Sequence, residues 1–370
     1  MADTALAPME VAPRAGRVRE RLEGAGCEAL LVTNLVNVRY LTGFSGSAGL
    51  LLVLPDELVL VTDGRYQFQS AEQLRAAGVE ARIEIGNLAG QQKAMAEAAG
   101  GVARLGLEAA HVSWARQRAF ASEWFSDAEL VPTEGVVEGL RRVKDEGEIA
   151  RLVRAAAIAD EALAQVRPQL RDRPSERDVA LELDYRMRRL GAEGPSFDTI
   201  VASGPNGAKP HASPSDRPID PGELVVMDFG ALFDGYHSDM TRTFCVGEPA
   251  DPVQRRMVEV VARSQAAGVA AVAAGRACAE VDQACREVIA EAGWADAFLH
   301  STGHGVGLDI HEAPAVAATS TDTLEERAVV TVEPGVYLPE HGGVRIEDSV
   351  VVTDGGCRLI TTSPKDLIVT

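Results

Sequence analysis

Long apolar runs are missing from this sequence. No stretch approaches about 18 uncharged apolar residues, so no membrane-spanning helix is expected. Met1 to Pro13 has no basic segment followed by a long apolar one, the pattern of a secretory leader. Positive charge is scarce: 36 Lys and Arg stand against 55 Asp and Glu, a net −19. That balance excludes the basic footprint needed to bind phosphate backbones and reads as a solubilising acidic surface, so no nucleic-acid partner is expected. Paired cysteine motifs are absent too. Cys27, Cys245, Cys278, Cys285 and Cys357 are odd in number, scattered and free of any C-x-x-C, which suits reduced, mostly buried thiols in a cytoplasmic protein and offers no zinc-site spacing. The glycine-rich run Gly43 to Gly49 lacks the Lys-Ser/Thr of a phosphate loop and fits neither G-x-G-x-x-G nor G-x-S-x-G, so it reads as a structural turn.

What is present is the composition of a globular protein: 370 residues, 46% hydrophobic and 25% charged. That length is too great for one ordinary core and predicts two domains. Up to Leu140, helical and strand patterns alternate: helix Arg14 to Ala25, strand Ala29 to Thr33, and a hairpin of Leu50–Leu54 with Leu58–Thr62. Asn34 and Asn37 read as breakers after the first strand. Residues 1–140 are therefore expected to form an α/β domain. The composition turns charged around Val143 to Gly147, and an alanine-rich amphipathic helix follows over Ile149 to Val166. A second helix is bounded by Ser175 as N-cap and Gly191 as C-cap. Strands and further helices then mix, with strands expected at Phe197–Ala202, Leu224–Phe229, Val329–Glu333 and Val344–Val352. Residues 141–370 thus read as an α+β domain.

Candidate chemistry concentrates in that second domain. Asp234-Gly235 is a two-residue hairpin signal; with that loop Phe233 faces Tyr236 and Asp228 faces Thr241, so Asp228 and Asp239 share one sheet face as diagonal neighbours. Alone, Asp228 equally fits a strand-end turn residue. Glu333 ends an apolar run, Val329 to Val332, before Pro334-Gly335. Arg345 and Glu347 sit two apart, on one face of an expected strand, where a solvent-facing salt-bridged edge is the plainer alternative. Six of seven histidines lie at or after His211. His304 stands out because Gly303, Gly305 and Gly307 strip side chains from around it and permit close backbone approach to a ligand. His300 and His311 flank it, while His237 and His341 have weaker claims. Four carboxylates and one imidazole in apolar surrounds are costly unless paired or bound to metal. An oxygen-rich set with a single histidine suits two divalent ions.

Together these residues resemble a family. The order Asp228, Asp239, His304, Glu333, Glu347 is similar to that of the pita-bread metallopeptidases, which include methionine aminopeptidase, aminopeptidase P and prolidase. The segments carrying the likeness are Met227-Asp228-Phe229-Gly230, Ser238-Asp239-Met240-Thr241, Gly303-His304-Gly305-Val306-Gly307 with His311-Glu312, Val332-Glu333-Pro334-Gly335 and Val344-Arg345-Ile346-Glu347-Asp348. Tyr40 to Ser47 and Thr62 to Tyr66 resemble the creatinase-type N-terminal domain of the Xaa-Pro branch. The resemblance implies a creatinase-type α/β domain followed by a pita-bread catalytic domain. It implies metal ligation by Asp228, Asp239, His304, Glu333 and Glu347, with Asp239 and Glu347 touching both ions. His211 and His311 would attend the scissile peptide, and Glu333 would shuttle the proton. His300 would line the proline pocket, Tyr337 would support the cluster, and Arg345 would hold Asp239. The implied reaction is hydrolysis of the bond before proline by a metal-bridging hydroxide. Its substrate would be a longer peptide (Xaa-Pro aminopeptidase) or, alternatively, an Xaa-Pro dipeptide (prolidase). A creatinase-like amidinohydrolase and a non-catalytic peptide-binding module are the remoter alternatives. Ligand hardness favours Mn²⁺, with Co²⁺ or Zn²⁺ as alternatives. A homodimer is what the family suggests.

Overall fold

The computed structural model describes residues 6–369. The absence of a leader pattern over Met1 to Pro13 therefore falls partly outside the described residues. Two compact units are formed, one by Pro8–Arg141 and another holding Arg142 onward. Among the described residues no helix is long and apolar enough to cross a membrane.

The first unit is a six-stranded sheet of β1 (Ala29–Val32), β2 (Leu50–Val53), β3 (Leu58–Thr62), β4 (Arg82–Ile85), β5 (Arg104–Glu108) and β6 (Glu129–Thr133), ordered β4-β3-β2-β1-β5-β6. Strands β1 to β3 are Leu/Val runs buried on both faces and pair antiparallel; β4, β5 and β6 join in parallel through helical crossovers. The two asparagines do not break the chain after β1. Asn34 starts a helix, Leu35–Thr42, its side chain accepting from the Val36 N–H, and Gly43 ends it at φ +75°. Asparagine competes with the backbone inside a helix but satisfies it at the N-cap. Asn37 lies buried within that helix and donates to Glu108 and Glu138.

The second unit has two larger sheets, each backed by a helix pair, and two smaller ones of three and two strands. In the first, Ile200–Ser203, Leu224–Phe229, Met240–Val246 and Ile368–Val369 are neighbours in that order. Helices Glu146–Val166 and Glu176–Arg189 cover it, joining Ile158, Leu163, Leu183 and Met187 to Val201, Met227 and Phe244 in one core. Both helices begin in capping boxes, Asp145 with Glu148 and Ser175 with Asp178. The second sheet runs Glu312–Val316, Gly303–Gly305, Val329–Val332, Asp348–Thr353, Gly356–Leu359. It packs on helices Pro252–Ala271 and Cys278–Glu291, with Val260, Val281, Cys285 and Ile289 against Val330, Val332 and Val350.

Strand Phe197–Ala202 is shorter than its sequence pattern, only Ile200–Ser203 pairing with Leu224–Phe229. The larger departure lies at Val344–Val352. Gly342–Arg345 pairs with Gly335–Leu338 as a separate ribbon, and Asp348–Thr353 belongs to the second sheet. Ile346 and Glu347 lie in the break. There the Glu347 N–H donates to Thr241 O at 3.1 Å instead of to a ladder partner.

Candidate active site

The hairpin register is the one its turn dictates: Phe233 pairs with Tyr236 and Asp228 with Thr241. Asp234 and Gly235 both take positive φ, 46° and 73°, as a tight two-residue turn requires. Asp228 and Asp239 therefore point the same way. With Glu347 arriving from the chain break, one carboxylate oxygen from each of the three lies within 4.8 Å of the others. His304 Nε2 stands 3.5 Å from Asp239 Oδ2 and 3.4 Å from Glu333 Oε1. All five expected ligands thus converge on one point at the base of a cleft.

Three hydrogen bonds aim the carboxylates. Thr241 Oγ1 donates to Glu347 Oε2 at 2.7 Å, Thr331 Oγ1 to Glu333 Oε1 at 3.3 Å, and Arg345 Nη2 to Asp228 Oδ2 at 2.5 Å. Arg345 therefore holds Asp228, not Asp239, as the resemblance implied; Asp228 is the carboxylate its guanidinium reaches from the end of the ribbon. Thr241 and Thr331 were not singled out from the sequence, yet the signal was there. Thr241 lies opposite Asp228 and two residues from Asp239, and Thr331 is two residues before Glu333 in an extended run.

Electrostatically the cluster is unfinished as protein alone. Burial pushes the Asp239 carboxyl well above its ordinary range, with Glu347 and Asp228 adding repulsion. Burial raises Glu347 in the same way, reinforced by Glu333 and Asp228. Glu333 is pushed up to about 8, chiefly by burial, against the pull of Arg345. His304 is driven down to about 4 by burial and is neutral. Its Nδ1 donates to Gly305 O at 3.0 Å, because a carbonyl can only accept. The Nε2 lone pair consequently faces the oxygens of Asp239 and Glu333, which meet it as acceptors once they are ionised. Asp228 Oδ1 and Glu347 Oε1 are buried without any hydrogen-bond partner among the described residues. Buried acceptors left in this state call for a partner, and several converging on one point suit a positive one. A hard donor set of four carboxylates and one imidazole, with lone pairs converging and two oxygens orphaned, fits divalent metal.

The glycines around His304 make room for protein rather than for a ligand. A Cβ on Gly303 would lie 2.0 Å from Thr331 O, and one on Gly305 2.4 Å from Ala313 O. They let neighbouring backbone close around the histidine and set its ring.

The cleft above the cluster has a volume of about 560 Å³ and is lined by His211, His300, His304 and His311 along with Phe197, Ile200 and Ile310. His311 meets His304 edge to face, with centroids 4.4 Å apart. His211 lies exposed on the loop after Pro210. His300 is driven down to about 4 by burial; its Nδ1 donates to Ser301 O at 2.8 Å, so its Nε2 accepts from Tyr337 Oη, also at 2.8 Å. Tyr337 Oη in turn accepts from Arg345 Nη1 at 2.7 Å. His237 and His341 lie outside this lining: His237 bonds Ser196, and His341 bonds Asp251.

The two units match separate family models. Residues 150–354 match metallopeptidase family M24, and residues 14–143 match the creatinase/prolidase N-terminal domain. An uncharacterized peptidase, YqhT, of Bacillus subtilis strain 168 is 43% identical, covering 95% of this chain and 99% of the relative. Among solved structures, the Xaa-Pro dipeptidase from Bacillus anthracis is 40% identical with a TM-score of 0.90, covering 96% of this chain and 98% of that one. The X-Pro aminopeptidase from Thermotoga maritima MSB8 is 33% identical with a TM-score of 0.87, covering 95% and 99%. With both models matched and the relatives aligned nearly end to end, this chain belongs to metallopeptidase family M24: a creatinase/prolidase-type N-terminal domain joined to a pita-bread peptidase domain.

Proposed function

We propose that the protein hydrolyses the peptide bond before proline, removing the N-terminal residue of Xaa-Pro peptides with two divalent ions held by Asp228, Asp239, His304, Glu333 and Glu347. The observation that carries this reading is the orphaned acceptor cluster at the base of a histidine-lined cleft. When bound, such ions polarise the scissile carbonyl and lower the pKa of water towards neutrality. Glu333 takes the proton released in the attack and hands it to the leaving nitrogen. His211 and His311, both in the cleft lining, donate to the developing oxyanion. Neutral His300, fixed by Ser301 and Tyr337 and flanked by the Phe298 ring at 5.1 Å, offers a flat, uncharged wall for the proline ring. Phe197, Ile200 and Ile310 form an apolar surface for the side chain preceding proline. The oxygen-rich donor set favours Mn²⁺.

The charge of the cleft supports one reading of substrate length. Among the described residues, the lining holds one arginine, Arg345, and no lysine. Arg345 is already engaged by Asp228, Thr241, Tyr337 and Pro210 O. Asp198 at the rim adds negative charge. The carboxylate of an Xaa-Pro dipeptide would enter this cleft without a free side-chain cation to receive it, whereas a longer peptide carries its carboxylate outside. This supports the aminopeptidase reading. The dipeptidase reading is favoured by the name carried by the 40% identical Bacillus anthracis structure. Turnover of Xaa-Pro-Yaa, Xaa-Pro and Xaa-Pro-amide by Mn²⁺-loaded protein separates them. Preference for the tripeptide and the amide over the free dipeptide is expected; the reverse order supports the dipeptidase. Folded, metal-loaded protein inert towards all three sinks the Xaa-Pro reading. The homodimer suggested by the family is checked by light scattering.

A further inference from the structure

We propose that Glu176, remote in sequence from every ligand, is the positioning residue that holds the His211 loop in its working place. Glu176 is the first residue of helix Glu176–Arg189, and its carboxylate is fully buried. Oε1 accepts from Ser203 N at 2.7 Å and Ser203 Oγ at 2.8 Å. Oε2 accepts from Ser215 N at 3.1 Å and Ser215 Oγ at 2.6 Å. Asn206 Nδ2 bridges the two oxygens at 3.2 and 3.0 Å. One carboxylate therefore gathers the two ends and an interior point of the segment 203–215. Burial pushes the Glu176 carboxyl up, but the bonds from Ser215 and Ser203 outweigh it and the group is held below its ordinary value. The helix start reciprocates, with Glu176 N donating to Arg217 O and Arg177 N to Ser215 O, both at 3.0 Å.

What the segment carries explains why it is gripped. Pro210, His211, Ala212, Ser213 and Pro214 form one wall of the cleft. Its middle is pressed onto the Gly342–Arg345 strand: a Cβ on Gly343 would lie 1.9 Å from Gly207 O, so the two backbones touch where only glycine fits. Arg345 Nη1 donates to Pro210 O at 3.3 Å, next to His211. The same guanidinium binds Asp228. Glu176 from below and Arg345 from the cleft side thus fix where His211 stands relative to the metal-binding carboxylates. A displacement of about 1 Å at such a group costs on the order of a hundredfold in rate.

The inference rests on the role assigned to His211 above, and a double-mutant cycle keeps the two separable. Glu176→Gln preserves shape but turns an amide NH₂ towards backbone N–H donors that cannot reverse. It is expected to lower kcat/KM by about a hundredfold, mainly in kcat, while bound metal and metal-induced thermal stabilisation match the parent. In a His211→Ala background the same change should cost less than about twofold further. Full, additive losses in both backgrounds overturn the positioning role and leave the function of His211 standing. If His211→Ala is itself without effect, both the role of His211 and this inference fail. Should Glu176→Gln not fold, Ser215→Ala removes one donor without disturbing the charge. A loss of about fivefold is then expected in the parent and none in the His211→Ala background.

Discussion

In the N-terminal unit, the buried carboxylate of Glu108 accepts from Thr33 N at 2.6 Å, Thr33 Oγ1 at 3.1 Å, Asn34 N at 2.8 Å and Asn37 Nδ2 at 2.7 Å. In the catalytic unit, four carboxylates crowd a neutral imidazole, and Asp228 Oδ1 and Glu347 Oε1 meet no donor. Both clusters are buried, acidic and fixed by neighbouring strands. Glu108 closes on itself and joins a helix N-terminus to a strand, whereas the cleft cluster is complete only with positive charge from outside. Adjacent residues repeat the contrast: Asp348 is paired with Arg242, Gln265, Thr361 and Lys365, while Glu347 beside it keeps an orphan oxygen. Burial of an acid is therefore weak grounds for function, and a missing donor counts only where several acids converge: Glu223 Oε2 also lacks one, but Glu223 is paired with Arg217 outside the cleft lining.

The comparison breaks first at Glu333. Glu333→Ala should lower turnover of an Xaa-Pro-Yaa peptide by at least about a thousandfold with thermal unfolding near that of the parent. An active variant would remove Glu333 from the chemistry.

Metal addition tests the open cluster as a whole. At a free Mn²⁺ concentration near one hundred times Kd, stabilisation of about 2.7 kcal/mol for each ion bound follows from mass action. It should also depend on pH. In metal-free protein, Glu333 is raised from 4.5 to about 8. The folded state then keeps a proton that the unfolded chain has lost, so stability falls as pH rises across that interval. Asp239 and Glu347, also raised, act in the same sense. Cations replace those protons. Calorimetry should show a larger Mn²⁺-induced rise in Tm at pH 8 than at pH 5, and equal rises would contradict the shared role of these carboxylates.

Glu108 supplies the smallest effect and the sharpest contrast. Glu108→Gln places an amide NH₂ among donors and should destabilise by about 1–3 kcal/mol, read by urea unfolding. Metal uptake should be unchanged. A change in metal affinity would mean that the two clusters are not independent.

Much of the site was legible in the sequence because its geometry is local. A two-residue turn fixes a register, a register fixes side-chain faces, and Asp228 and Asp239 follow without tertiary information. Legibility fails where the chain departs from regular alternation. Arg345 and Glu347 were read as facing residues of one strand, yet a break between them sends Glu347 to Thr241 and ends the ribbon at Arg345. Which of two diagonal aspartates an arginine selects depends on that break, and parity cannot supply it. The glycines at 303, 305 and 307 gave the right place for the wrong reason, since a Cβ there would meet protein and not ligand: Thr331 at Gly303, Ala313 at Gly305 and Glu312 at Gly307. Asn34 was misread because breaking one element and capping the next use the same side-chain chemistry.

The chain of donors from Arg345 to Tyr337 Oη, from Tyr337 Oη to His300 Nε2 and from His300 Nδ1 to Ser301 O runs in a single direction. It begins at a guanidinium that does not deprotonate and ends at a carbonyl that does not accept a proton covalently. Such a line cannot work as a proton relay: every hydrogen is already spoken for, and reversing one would require reversing all. The rear wall of the cleft is in this sense an insulator. In the proposed mechanism the protons of each turnover pass through Glu333 and the histidines open to the cleft, and this line of donors offers them no second route.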